Sequence, residues 1–161
     1  MIKTLCLWLA ETPLSSAIRD TFWLVPLVQT IHILSVAIVL IATGTMAFRL
    51  LGLAGRSRPF APMAKYFLPW IWRAVIVLLL TGVMLTIAEP ERELLNISFQ
   101  LKMLLVIALV LVLRSVQWDR QTEPAHAGPT VHVLRAPQAL GIVMLVLTAS
   151  IVVAGRLIAY V

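Results

Sequence analysis

Few side chains in this sequence could do chemistry, and those that could stand inside or beside long apolar runs. His32 is the first. It lies about 11 residues into an apolar stretch that opens near Thr21, roughly 16 Å along a helix rising about 1.5 Å per residue. On a helical wheel Gln29, His32, Ser35, Thr43 and Met46 fall within about one third of the circumference, a polar stripe expected to face other helices because lipid offers no hydrogen bonds. An imidazole at such depth can ligate haem iron or a metal ion, or relay a proton. The plainer reading is a neutral histidine satisfied by a neighbouring helix. Lys102 and Arg156 come next, near the ends of two other apolar runs and on the same side as Glu89, Glu91 and Glu93. They suit the carboxylates of a ligand, haem propionates included. They also suit plain snorkelling cations that pair with those glutamates.

The remaining candidates are weaker. His126 and His132 stand six apart among prolines, match no zinc spacing, and read as loop residues in water. Met46, Met84, Met103 and Met144 are spread over several apolar runs and read as filler, with a methionine haem ligand opposite His32 the remoter alternative. No phosphate loop, nucleophile elbow or HExxH is present, so no catalytic residue is assigned and an enzyme is not expected. A pair of carboxylates inside the apolar runs is lacking too, which leaves an ion-driven pump little to work with. An inverted-repeat transporter would need a longer chain with duplicated broken helices.

The elements that must position these residues follow from composition. The 161 residues are 61% hydrophobic and 12% charged, where soluble domains carry about 25% charged residues. Lipid must therefore cover part of the surface. Four runs are long enough to cross a bilayer: residues 21–48, 70–88, 97–118 and 138–160. All must be helical, since an open strand edge leaves backbone groups unpaired in lipid. The predicted fold is all-α: one integral membrane four-helix up-down-up-down bundle with short interfacial helices, in a single domain over residues 1–161.

Charge sets the orientation. Arg49, Arg56, Arg58, Lys65, Arg73, Arg114, Arg120 and Arg135, against Asp119 and Glu123, put the whole formal charge of +6 on one side, while charges on the other side cancel. The positive-inside rule then predicts a multi-pass protein of a bacterial inner membrane with both termini on the outer side. This topological pattern also accounts for the basic pI near 10.5 without a nucleic-acid partner. Cys6 is the one cysteine and forms no internal disulfide. Leu5–Ala10 is too short for a signal-peptide core and Glu11 follows it, so residues 5–19 are expected to lie in the interface. There Thr12 should cap a helix whose first residue is Pro13, and Trp8 should sit at headgroup level. Pro59, Pro62 and Pro69 predict a second interfacial piece at Phe60–Leu68, with Trp70 and Trp72 in an aromatic belt. Small residues at Ser150/Ala154 and Gly155/Ala159 allow close helix approach, within the bundle or in a homo-oligomer.

Leu7-Trp8-Leu9, Thr12-Pro13-Leu14-Ser15, Ile31-His32-Ile33-Leu34, Phe48-Arg49-Leu50-Leu51-Gly52, Leu68-Pro69-Trp70, Leu101-Lys102-Met103 and Ala154-Gly155-Arg156-Leu157 together carry a resemblance. Over nearly its whole length the chain resembles a family of small bacterial four-helix membrane proteins that carries only a domain-of-unknown-function label. More distantly it looks like the four-helix modules of copper-resistance and b-type cytochrome membrane proteins, where helix histidines bind metal or haem. Those modules generally use two or more membrane histidines, and here His32 alone is so placed. The first resemblance implies fold and membrane placement. Two functions stay open: a non-enzymatic accessory protein or subunit of a larger membrane complex, and a haem b or metal electron-transfer module with His32 as ligand and Lys102 and Arg156 as carboxylate anchors. A dimer could bring two His32 residues to one haem.

Overall fold

The computed structural model describes residues 2–53, 60–122 and 137–157, so His126, His132 and the expected end of the last span at 158–160 lie outside the described residues. The described residues form seven helices and no strand: α1 Ile2–Ala10, α2 Pro13–Asp20, α3 Leu24–Leu50, α4 Phe60–Ala88, α5 Pro90–Leu94, α6 Ile97–Thr122 and α7 Pro137–Leu157. α3, α4, α6 and α7 are each long and apolar enough to cross a membrane, so the protein is a multi-pass, all-α membrane protein with a four-helix arrangement.

Local sequence explains most helix ends. Thr12 takes extended backbone and its side chain accepts from the Ser15 amide at 3.3 Å, with Pro13 at the first helical position. α3 ends on Gly52, at φ 73°, where the Gly52 amide reaches Arg49 O at 3.1 Å and the Leu53 amide reaches Phe48 O at 3.0 Å. Only glycine enters that left-handed turn without strain, and the two bonds serve carbonyls that the helix leaves open. Two expectations are corrected. The first span begins at Leu24, not near Thr21, which leaves His32 about 12 Å from the start of α3. Phe60–Leu68 is no separate interfacial piece, because α4 runs unbroken through Pro69. Proline removes one backbone bond there, and with no water to take up other broken bonds, staying helical costs least.

In the bundle α3 packs along both α4 and α7, and α7 packs along α6. α4 and α6 barely meet, so the ring of helices has one loose seam. α1, α2 and α5 gather at the end where α4 stops and α6 begins, and the last turn of α7 arrives at the same end. The Ser15 hydroxyl, fully buried, pins this cap to α4 by donating to Ile87 O at 2.8 Å.

The bundle's two halves are packed differently. Away from the cap the interior is dense and apolar: Met46, Ala47 and Leu50 from α3, Leu68 and Ile71 from α4, Leu113 from α6, Met144 from α7. Trp72 Nε1 donates to Gln117 Oε1 at 2.7 Å there and closes the seam. Toward the cap the buried residues of the spans include the small or polar Ser35, Thr81, Ser98 and Ala154. α6 has no buried residue between Ser98 and Leu109. Met46 and Met144 thus fill the core, while Met103 is exposed at lipid depth.

Candidate binding site in the cap half of the bundle

α3 carries His32 toward α4, where its Nδ1 lies 2.8 Å from Thr81 Oγ1. The hydroxyl proton of Thr81 is already committed, since Oγ1 donates to Val77 O at 2.7 Å. The network therefore assigns the proton to Nδ1, which donates to Thr81. The lone pair of the neutral ring is left on Nε2. The next residue of α4, Gly82, lies beside the ring: a Cβ there would stand 3.7 Å from His32 Cε1, in ordinary contact.

Lys102 approaches from α6, and its ammonium and last methylenes lie against Gly155 of α7, 3.7 Å from where a Cβ would be. Its charge lies within electrostatic reach of the His32 ring, across the bundle from α3. Glu93 on α5 completes the group. Burial pushes its carboxyl above the usual glutamate value, while the Lys102 and Arg92 cations pull it part of the way back. Glu89 is instead drawn to Arg92, at 2.8 Å on the exposed side of α5.

Two polar groups in this half remain open. Among the described residues nothing hydrogen-bonds His32 Nε2, and the Lys102 ammonium makes no hydrogen bond although Glu93 stands within electrostatic reach. Both side chains are half-buried at membrane depth. A polar group is costly to leave without a partner at such depth.

Of the residues singled out from sequence, Lys102 stands within electrostatic reach of His32. Arg156 follows Gly155 in the last turn of α7, at the same end, with an exposed side chain. Ser35 and Thr43 are buried as the polar stripe requires, with Thr43 Oγ1 3.3 Å from Thr148 Oγ1, but Gln29 is exposed where α3 emerges beside the cap. Thr81, Gly82 and the particular role of Glu93 were not expected. The signal for the first two was available: Thr81-Gly82 interrupts the apolar run Val75–Val83.

No three His, Cys, Asp or Glu side chains converge as a metal site among the described residues. An ion held by protein ligands alone would find one nitrogen here, where three or four ligands are the rule. Comparison of the chain with protein families, with curated proteins and with solved structures finds no match to any of them.

Proposed function

We propose that the chain is a small membrane subunit with no catalytic machinery of its own, which holds a small ligand at the His32–Lys102 pair. The observation that supports this is the open Nε2, with Gly82 beside the ring, and the open ammonium, with Gly155 beside it, the two within electrostatic reach in the cap half of the bundle. The dense apolar half beyond the site, with Met46, Ile71, Leu113 and Met144 fully buried, argues against a path for solutes through the bundle. The charge distribution supports a bacterial inner membrane with the cap and both termini on the outer side. The motif likeness to small uncharacterised bacterial membrane proteins is in keeping with such an accessory role, alone, as a homo-oligomer or in a larger complex.

One observation favours a second reading, a b-type haem module. A ligating histidine commonly donates its other ring N–H to a fixed acceptor, as His32 does to Thr81. Haem brings four ring nitrogens of its own, so a single protein nitrogen suffices to hold it. His32 Nε2 would hold the iron and Lys102 would receive a propionate; the group, when bound, supplies one-electron transfer.

Two measurements on the purified protein decide between these readings. A strong Soret band with sharp bands on dithionite reduction, lost in His32→Ala, establishes haem. A protein that stays colourless after growth with excess haem removes it. For the first reading, adding an extract of the host membrane should stabilise the wild type, by about 2.7 kcal/mol at a hundredfold excess of ligand over its Kd. His32→Ala and Lys102→Met should lose that gain. Equal stabilisation of all three proteins would overturn the binding-subunit reading.

A further inference from the structure

α4 is longer than the bilayer it crosses, and its first turns carry cations and aromatic rings. Its 29 residues span about 44 Å at about 1.5 Å per residue, against roughly 30 Å of hydrocarbon. At the cap end the charged residues Glu89, Glu91, Arg92 and Glu93 follow Ala88 directly, and the Arg92–Glu89 pair is exposed, so the apolar layer ends there. About 20 residues back from Ala88, the other edge falls near Pro69. Lys65 and Tyr66 therefore stand at headgroup level, and Arg73 lies about one turn inside the apolar layer.

Tyr66, Trp70 and Arg73 succeed one another at spacings of four and three, so they share one face of α4, and all three are exposed. Helical side chains lean toward the N-terminus of their helix, which for α4 is the headgroup end. The Arg73 guanidinium accordingly lies back over Trp70, 5.3 Å from the ring centroid. Among the described residues Lys65, Tyr66 and Arg73 make no hydrogen bond or ion pair, which leaves their donors open. Residues 21–88 contain no Asp or Glu, so neither α3 nor α4 supplies a counter-charge. One turn and two turns further in, Ile76 and Leu80 continue from Arg73 as exposed apolar surface. Cations at the edge of the apolar layer, continuous with apolar surface inside it, complement a molecule that is anionic at its head and apolar in its chains. A guanidinium fork matches two oxygens of a phosphodiester, and a phenol donates to a third. A zwitterionic head would bring an ammonium, for which this face holds no carboxylate.

We propose that this face of α4 docks an anionic phospholipid. The phosphodiester accepts from Arg73 and Tyr66, Lys65 adds its charge from the flank of the face, and the acyl chains run along Ile76 and Leu80. Trp70 is a positioning residue that holds the guanidinium. The site is separate from the His32–Lys102 pair, which belongs to the cap half of the bundle.

Native mass spectrometry of the delipidated full chain in neutral detergent, titrated with phosphatidylglycerol or with phosphatidylcholine of the same chains, tests this. Wild type should take up its first phosphatidylglycerol about tenfold more tightly than phosphatidylcholine. Arg73→Met should weaken that uptake by about tenfold, the loss of a charge-assisted pair. Trp70→Leu leaves every charge in place and should weaken it about threefold. Arg73→Lys keeps the charge without the fork and should fall between wild type and Arg73→Met. Arg114 is the control: it is exposed on α6, one turn from the Gln117 that Trp72 bonds. Arg114→Gln removes the same charge from the same end of the bundle and should stay within about twofold of wild type. The four substitutions fall on exposed side chains, so the fold survives them. Equal uptake of the two lipids, or saturable uptake of neither, would overturn the proposal. So would equal losses in Arg73→Met and Arg114→Gln with Trp70→Leu unchanged, the signature of a cationic surface attracting any anion.

Discussion

Thr81→Val is the sharpest perturbation of the proposed site. Valine has nearly the shape of threonine, and Thr81 is 7% exposed, so the exchange opens no cavity and moves no neighbour. It removes one oxygen that bonds His32 Nδ1 and shares its proton between Val77 O and, at 3.3 Å, Leu78 O. The bond to Val77 O lies within α4, where that carbonyl already serves the helix ladder, and its loss is close to neutral. The bond from His32 Nδ1 at 2.8 Å joins α3 to α4, and its loss strands an N–H at membrane depth. Interhelical hydrogen bonds in lipid contribute about 0.6 kcal/mol on average and up to roughly 2. With the stranded donor, Thr81→Val should cost about 1 kcal/mol, and Thr81→Ser only a few tenths. The assay is reversible unfolding in mixed micelles, run as a double-mutant cycle with His32→Ala. A coupling near 1 kcal/mol is expected. Thr86→Val serves as the internal control, because the Thr86 hydroxyl bonds to Gly82 O in its own helix at 2.9 Å. A cycle that is additive within about 0.3 kcal/mol, with Thr81→Val no worse than Thr86→Val, refutes the assignment of the Nδ1 proton to Thr81.

Two further outcomes test the frame around the site. Gly141 is buried where α7 meets α3, and an added Cβ would stand 2.9 Å from the Ala47 carbonyl oxygen, which is backbone and cannot step aside. Overpacking of roughly 1–3 kcal/mol should outweigh the gain of about 1 kcal/mol in helix propensity, so Gly141→Ala should lower stability by about 1 kcal/mol in the same unfolding assay. The Glu93 carboxyl sits above its unfolded value, chiefly through burial, so the folded state holds its proton more tightly. Its contribution is present at low pH and fades as pH climbs past the ordinary glutamate value and through the raised one. Thermal melts across that window should show a falling limb that Glu93→Gln flattens; an unchanged limb would assign the effect to other groups.

How far the sequence carried this picture can be seen residue by residue. The four long helices were legible because a bilayer demands a minimum apolar length, and hydropathy records length directly. The Thr12-Pro13 start was legible because capping chemistry is local. The continuity of α4 through Pro69 was not, since a proline breaks a helix in water more readily than in lipid. His32 stood out by rarity, but Thr81 did not, because threonines in membrane helices mostly bond back to their own backbone. Only the packing of α3 on α4 reveals that Thr81 accepts from another helix. Glu93 looked like Glu89 and Glu91 in the sequence; what separates it is the turn of α5 that leaves it half-buried near Lys102. Gln29 shares the His32 face on a helical wheel, yet it is exposed, and at that turn Val28 is the α3 residue that is buried.

The central claim is that His32 and Lys102 belong to one ligand site, and native mass spectrometry of the chain released from host membrane tests it most directly. Wild type should carry a non-covalent adduct of one defined mass, absent from His32→Ala and from Lys102→Met and retained by Thr86→Val. A bare wild-type chain, or the same adducts on all four proteins, would contradict the account.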